Sequence, residues 1–190
     1  MDYAIIRQRL KQMLDYNRYQ HTLGVEETAV KLAEHYGASV EQARLAGLLH
    51  DCAKCLSKFN LLRRLEGSDI VVDEMEKEVE PLLHGPVGAI IAREDFGIQD
   101  PAVLRAIRYH TTGAPDMTLL DKIIYLADYI EPGRDCPGIE EVRKLAFVNL
   151  DQAIILACGR TIIYEINRNN RIHLRTVEMR NALLRRGERR

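Results

Sequence analysis

Apolar residues recur every three or four positions along most of the chain, which is the spacing of helices that bury one face. The clearest segment begins at Ser39, which fits a capping box with Gln42, and runs through Leu45 to the polar pair His50 and Asp51. No segment alternates β-branched and polar residues as a half-buried strand would. The pattern therefore predicts an all-α fold, a single helical bundle of about eight or nine helices.

Prolines and glycines separate the predicted helices. Asp100-Pro101 is typical of a helix start, and Pro132-Gly133 is typical of a helix end. The stretch from Asp69 to Glu80 is rich in charge and gives a less certain pattern. Because the 190 residues contain no repeat or low-complexity linker, we predict one domain over 1–190, ending in a flexible basic tail at 183–190.

The charge balance limits the partners of the protein. With 27 lysines and arginines against 28 acidic residues, the chain has no bulk charge that would attract nucleic acid or anionic lipid. No run approaches the ~18 apolar residues of a membrane span, and the first residues do not resemble a signal peptide. We therefore predict a cytoplasmic protein without a membrane or nucleic-acid partner.

The four cysteines are predicted to be free thiols. Cys52 and Cys55 form a Cys-x-x-Cys motif, but Cys136 and Cys158 are isolated and provide no second pair. A structural zinc site is therefore not expected.

Six side chains capable of binding metal stand at the edges of apolar helical segments: His21, His50, Asp51, His84, His110 and Asp128. Apart from the adjacent pair, 18 to 34 residues separate successive members, so only a folded bundle can bring them together. Imidazole and carboxylate ligands without thiolate favour iron, manganese, cobalt or zinc over calcium. Two ions at roughly 3.5–4 Å would suit a phosphoryl displacement. The alternative for His50 and Asp51 alone is a pair that caps and hydrogen-bonds within the core.

Longer motifs surround these residues. They are Arg18-Tyr19-Gln20-His21-Thr22-Leu23-Gly24-Val25, Leu48-Leu49-His50-Asp51-Cys52-Ala53-Lys54, Leu83-His84-Gly85-Pro86, Arg108-Tyr109-His110-Thr111-Thr112-Gly113 and Tyr125-Leu126-Ala127-Asp128-Tyr129-Ile130-Glu131-Pro132. The histidine and aspartate pattern resembles the HD-domain metal-dependent phosphohydrolases, and the longer motifs resemble the bacterial YqeK family over nearly the whole chain. This resemblance implies an all-helical HD domain, an iron cofactor and symmetrical hydrolysis of bis(5'-nucleosyl) tetraphosphates. Diadenosine tetraphosphate would be cut into two ADP by metal-activated water.

Site roles follow from the ligand pattern and the resemblance. We expect His21, His50, Asp51 and Asp128 to hold one ion, with Asp51 also bridging and orienting water. His84 and His110 are assigned to a second ion or to substrate phosphate. Lys54 would stabilise the departing phosphate and Arg134 would grip a phosphate with its planar fork. The other predicted substrate-binding residues are Arg18, Thr111, Asn170, Arg171, His173 and Arg175; for His173, an ordinary surface histidine is the alternative.

Two other functions remain open at this stage. One is another HD phosphohydrolase that acts on cyclic dinucleotides, guanosine alarmones or deoxynucleotides. The other is a non-catalytic nucleotide-sensing or RNA-associated regulator, in which a degenerate site would be expected. The substrate base, the number of ions and the oligomeric state, including a homodimer, are left open by the sequence.

Overall fold

The computed structural model describes residues 2–187. Within them the chain forms eleven helices and no strand, so the all-α prediction is confirmed. The helices are α1 (Tyr3–Met13), α2 (Tyr16–Tyr36), α3 (Val40–Leu49), α4 (Lys58–Leu65), α5 (Glu74–Glu78), α6 (Glu80–Glu94), α7 (Pro101–Tyr109), α8 (Leu119–Ile130), α9 (Ile139–Ala146), α10 (Leu150–Asn167) and α11 (Leu174–Gly187). None of them is long and apolar enough to cross a membrane.

The number of helices exceeds the predicted eight or nine because short helices carry little periodic signal. In the charged stretch, α5 is only five residues long and depends on a capping box between Asp73 and Glu76. Helix α6 then begins at Glu80, and Val79 serves both as the C-cap of α5 and as the N-cap of α6. Five residues make less than two turns, so no repeating apolar face can be read there.

A side-chain cap sets the start of α2. Its N-cap is Asp15, whose side chain accepts a hydrogen bond from the backbone N–H of Arg18 at 2.8 Å. The helix therefore starts at Tyr16. As a result His21 lies in the second turn of the helix.

Five helices form the centre of the fold, with α2 against α3 and α8, and α7 against α3, α6 and α8. Two glycines allow neighbouring helices of this centre to approach each other closely. A Cβ atom on Gly47 of α3 would lie 3.0 Å from the Glu26 Cα atom of α2, and one on Gly85 of α6 would lie 2.8 Å from the Arg108 carbonyl oxygen of α7. Because a side chain would force these helices apart, glycine at both positions keeps their ends close.

The predicted tail is corrected over most of its length. Residues 183–187 continue α11, and Leu183 is buried in the core. The remaining residues of the predicted tail, 188–190, lie outside the described residues. The division into a single domain stays a prediction.

A buried ion pair joins α5 to α7. Both oxygens of the fully buried Glu76 accept hydrogen bonds from Arg108, at 2.6 and 3.0 Å, and Arg175 adds a contact at 3.1 Å. We expect Glu76→Gln to lower the free energy of unfolding by about 3–5 kcal/mol, because it leaves a buried guanidinium without its anion. Urea unfolding measures this. The matched control is Glu78→Gln, which removes an exposed partner of Arg171; equal losses in both variants would contradict the prediction.

Candidate metal centre

The six predicted ligands meet at the ends of the five central helices. His21 lies on α2, His84 on α6 and Asp128 on α8, while His50 and His110 are the C-terminal caps of α3 and α7. Asp51 follows His50 directly. The structure therefore brings together side chains that are far apart in sequence.

One group consists of His21, His50, Asp51 and Asp128. The Nε2 atom of His21 lies 3.0 Å from Asp128 Oδ1 and 3.6 Å from Asp51 Oδ2. The Nε2 atom of His50 lies 3.4 Å from the same Asp51 Oδ2 and 3.3 Å from His21 Nε2. The two imidazole nitrogens and Asp51 Oδ2 thus form one compact set of possible ligands, and Asp128 Oδ1, which also lies close to His50 and His110, stands at its edge.

A second group uses the other oxygen of Asp51. Asp51 Oδ1 lies 3.1 Å from His84 Nε2 and 3.6 Å from His110 Nε2, and these two nitrogens are 2.9 Å apart. Each oxygen of Asp51 therefore faces a different group of ligands. This arrangement suits a carboxylate that bridges two cations.

The hydrogen bonds on the far side of the imidazole rings set their tautomers. Each of the four Nδ1 atoms faces an oxygen acceptor, which requires the ring proton to be on Nδ1. These acceptors are Glu131 Oε1 for His21 at 3.0 Å, Gly47 O for His50 at 2.7 Å, Pro81 O for His84 at 2.6 Å and Ile107 O for His110 at 2.8 Å. All four Nε2 atoms consequently present lone pairs to the centre.

The centre as a whole is rich in electron pairs. Two lone pairs face each other between His84 and His110, only 2.9 Å apart, so this contact is not a hydrogen bond between neutral rings. The buried Oδ1 atom of Asp51 has no hydrogen-bond partner among residues 2–187. A cation would satisfy both features, and the residues therefore fit divalent metal ions held by nitrogen and oxygen.

The electrostatics keep the ligands in their metal-binding states. Burial raises the pKa of the Asp51 carboxyl, but positive charge at this position, carried by protonated imidazoles when no metal is bound, outweighs burial and holds its pKa well below the usual range. Burial also opposes ionisation of Asp128, where a proton shared with His21 and the guanidinium of Arg134 hold the pKa far below that of a free carboxyl. Burial lowers the pKa of His84 to about 4, so this ring is neutral at pH 7.

A cleft of about 600 Å³ opens in front of the centre. Two predicted substrate-binding arginines line it and contact the ligand carboxylates. Arg18 Nη1 donates to Asp51 Oδ2 at 2.8 Å, and Arg134 Nη2 donates to Asp128 Oδ1 at 2.8 Å. Both guanidinium groups therefore lie beside the centre and face the cleft.

Lys54 and Thr111 line the same cleft beside the second ligand group. The Lys54 Nζ atom lies 3.3 Å from His84 Nε2, and burial lowers the pKa of its ammonium. The Thr111 hydroxyl lies 3.1 Å from the Nε2 atoms of both His84 and His110. Both side chains are therefore placed to contact a group bound at the second position.

The predicted joint at residues 170–175 lies elsewhere. Asn170 Nδ2 donates to Glu165 Oε2 at 2.7 Å, and Arg171 forms an ion pair with Glu78 at 2.5 Å. His173 and Arg175 face α5, and none of these four predicted substrate-binding residues lines the cleft. Their contact with nucleotide stays a prediction.

A third cluster, formed by Asp73, Glu76 and His173, is also close enough to be considered as a metal site. Arg108 and Arg175 already occupy the oxygens of Glu76. The Nδ1 atom of His173 accepts a hydrogen bond from the backbone N–H of Arg175 at 3.1 Å, so its ring proton is on Nε2, which lies 2.9 Å from Asp73 Oδ2. A protonated nitrogen is not a ligand, and this cluster is therefore an ion-pair network.

Several residues around the centre were given no role by the sequence reading. Glu131, which contacts His21, stands three positions after Asp128, a spacing that places two residues on one side of a helix. Tyr125 and Tyr129 also line the cleft. The remaining wall comes from α10 and from the loop between α8 and α9, through Asp135, Cys136, Pro137, Arg160, Thr161, Tyr164 and Glu165.

The fold and this centre define a class of protein: an all-helical domain whose histidines and aspartates gather at the ends of its central helices to bind metal. Residues 18–133 match the HD domain family. This range contains all six ligands together with Lys54.

Comparison with individual proteins identifies the family within this class. The chain is 46% identical over 177 residues to the symmetrical bis(5'-nucleosyl)-tetraphosphatase of Halalkalibacterium halodurans, covering 93% of this chain and 94% of that protein. It is 44% identical over 160 residues to the protein of the same name from Bacillus subtilis, with coverages of 84% and 86%. A crystal structure from Clostridium acetobutylicum, described as a predicted HD superfamily hydrolase involved in NAD metabolism, shares 42% identity, a TM-score of 0.94 and 98% coverage of both chains. The chain therefore belongs to the YqeK family of HD-domain proteins.

Proposed function

We propose that this protein is a symmetrical bis(5'-nucleosyl)-tetraphosphatase that hydrolyses diadenosine tetraphosphate, and dinucleoside tetraphosphates in general, to two nucleoside diphosphates. The observation that carries the proposal is the pair of ligand groups joined by Asp51, which lies at the floor of a cleft lined by cations. The names of the relatives at 46% and 44% identity support the substrate. We keep a cytoplasmic location and the absence of a nucleic-acid partner as predictions, and we leave open a homodimer.

The metal is proposed to be iron, as one or two ions, with manganese, cobalt or zinc as substitutes. His21, His50, Asp51 and Asp128 would hold the first ion, and Asp51, His84 and His110 the second. When bound, such ions lower the pKa of water towards ~7 and neutralise phosphate oxygens. Nitrogen and oxygen ligands without thiolate support this choice, and metal analysis of the purified protein tests it.

The cations of the cleft would bind the tetraphosphate. Arg18 and Arg134 already contact the ligand carboxylates, so each guanidinium has further N–H groups that can reach a phosphate next to the metal centre. Lys54 would contact the leaving phosphate beside His84, and its burial strengthens that contact because little water competes. The Thr111 hydroxyl would donate to a phosphate oxygen. Together these residues orient the two central phosphates.

The site of bond cleavage is the sharpest test of this proposal. Hydrolysis of diadenosine tetraphosphate in ¹⁸O-labelled water should give only ADP, and each cleavage should place one labelled oxygen on the β-phosphate of one of the two ADP molecules. Chromatography followed by mass spectrometry measures both. Formation of ATP and AMP would overturn the proposal.

The same assay separates the alternatives. Faster turnover of cyclic dinucleotides, guanosine alarmones or deoxynucleotides would indicate another HD phosphohydrolase. A non-catalytic regulator would bind nucleotide without releasing product. The structure argues against this alternative, because the six candidate ligands and Lys54 are all present and lie together at one site.

We expect Arg134→Ala to lower kcat/KM about ten- to a hundredfold while the protein keeps its metal. A charge-assisted hydrogen bond is worth about 1.5–3 kcal/mol, and the variant loses such contacts with phosphate but no metal ligand. Steady-state kinetics and metal content measure the two effects. Arg64→Ala is the control, because Arg64 forms a surface ion pair with Asp95 away from the cleft. Unchanged kinetics in Arg134→Ala would remove Arg134 from the phosphate site.

A further inference from the structure

Glu131, which caps the C-terminus of α8, is a buried carboxylate in contact with a metal ligand. Only 3% of its surface is exposed. Its Oε1 atom lies 3.0 Å from Nδ1 of His21, and its Oε2 atom accepts a hydrogen bond from the backbone N–H of Gly133 at 2.5 Å. His21 is the only one of the four imidazole ligands within the described residues whose Nδ1 faces a side chain instead of a backbone carbonyl.

We propose that Glu131 is a positioning residue that fixes the orientation and tautomer of His21 and couples this ligand to the segment that carries Arg134. The proposal rests on the metal centre described above and adds a residue that acts through its ligands. A carboxylate that accepts the far N–H of a ligating imidazole holds the ring in place and makes its other nitrogen a stronger donor.

The chemistry of the two contacts requires a carboxylate at this position. Both partners of the Glu131 side chain, the His21 ring and the Gly133 backbone, present N–H donors to it. A glutamine has the same shape but offers one acceptor oxygen and one donor N–H group. It can satisfy only one of these partners and would turn its N–H group towards the other.

The chain leaves space for this carboxylate on two sides. A Cβ atom on Gly24 would lie 2.5 Å from Glu131 Oε2, and one on Gly133 would lie 3.0 Å from the same atom. Gly24 is on α2, one turn after His21. Glycine at position 24 therefore allows the carboxylate to reach the ring across the face of α2.

The backbone of Glu131 connects the metal ligand to the phosphate-binding side chain. The backbone N–H of Arg134 donates to the carbonyl oxygen of Glu131 at 3.0 Å. Nη2 of Arg143 donates to the carbonyl oxygens of both Glu131 and Arg134, at 2.7 and 2.8 Å. The turn at residues 131–134 is thus fixed at both ends, and displacement of the carboxylate would disturb His21 and Arg134 together.

Cobalt titration of the full chain without nucleotide tests the proposal, because the visible bands of bound Co²⁺ report the ligand geometry independently of turnover. We expect Glu131→Gln to raise the dissociation constant for Co²⁺ at the ligand group that contains His21 about 10–100-fold. The visible bands of the Co²⁺ bound there should also change. Gly24→Ala should act in the same direction, because it displaces the carboxylate without changing its charge. High Co²⁺ should restore much of kcat in both variants.

Two control variants separate positioning from general damage to the fold. Asp121→Asn alters another buried carboxylate of α8, which pairs with Arg105 away from the centre. Gly159→Ala places a methyl group on α10, where the nearest atom of Arg180 is 3.9 Å away. Both should bind Co²⁺ like the unaltered protein.

Unchanged Co²⁺ affinity and bands in Glu131→Gln and Gly24→Ala would overturn the role of Glu131 and leave the proposed function intact. An equal loss in Asp121→Asn would overturn it as well, since the effect would then come from α8 in general. Absence of Co²⁺ binding by the unaltered chain would instead refute the metal centre itself. Thermal unfolding of each variant without metal shows whether Glu131→Gln folds, and Gly24→Ala provides the result if it does not.

Discussion

Replacing Asp51 with asparagine should abolish hydrolysis and remove most of the bound metal. Each oxygen of Asp51 faces one ligand group, so this single change weakens both positions. Loss of one electrostatic contributor to a transition state costs about 10²–10³ in rate. We expect at least that loss here, because the substitution keeps the shape of the side chain and removes the anion that both ions share.

His50→Ala should have a comparable effect, because it removes a fully buried ligand of the first group. His21→Ala and Asp128→Ala should behave alike. Kinetics with diadenosine tetraphosphate and metal analysis of the purified variants measure the outcome. The matched control is His35→Ala, since His35 contacts the rings of Tyr36 and Phe147 and lies outside the centre. Near-normal turnover with full metal content in Asp51→Asn or His50→Ala would refute the assignment of the site.

The six candidate ligands could be selected from the sequence because each stands near one end of an apolar helical segment. His50 and His110 illustrate this. Both are the C-terminal caps of short helices, so each imidazole lies directly after an apolar segment. The resemblance then gave the family, which the comparisons confirm. Ligand position is therefore largely a local property of these helices.

The partners of the ligands could not be found in the same way. Glu131 reaches His21 only because α8 packs on α2 and Gly24 leaves room, and neither condition is visible in the local pattern. The α10 wall of the cleft is likewise a result of tertiary packing. The segment at residues 170–175 is a further example: Arg175 contacts acidic side chains about 100 positions earlier in the sequence, which no local pattern shows.

The short helix α5 also could not be predicted from the local sequence pattern. The capping box of Asp73 and Glu76 fixes α5 without any repeated apolar face, and the same Glu76 is neutralised by Arg108 from α7. A charged stretch that looked irregular is thus held by long-range ion pairs. Periodicity predicts helices that bury a face, and it does not predict a single turn held by buried charge.

His84→Ala and His110→Ala should separate the two metal positions. Both side chains face Asp51 Oδ1. In contrast, His21 and His50 face Asp51 Oδ2, and His21 also contacts Asp128 Oδ1. Removing either imidazole therefore leaves the first group with all of its ligands. We expect the rate to fall about 10²–10³-fold, as for the loss of one electrostatic contributor, while the affinity for the first ion changes much less.

Co²⁺ or Fe²⁺ titration followed by metal analysis should then show the stoichiometry falling from two ions to one in these variants, with kcat affected more than KM. Lys54→Ala provides a useful comparison, because it removes a cation next to His84 without removing a ligand and should keep both ions. The outcome that would contradict this division is equal loss of all metal in the variants of His21, His50, Asp51, His84, His110 and Asp128. The six side chains would then act as one cooperative site, and Asp51 would not be the bridge between two positions.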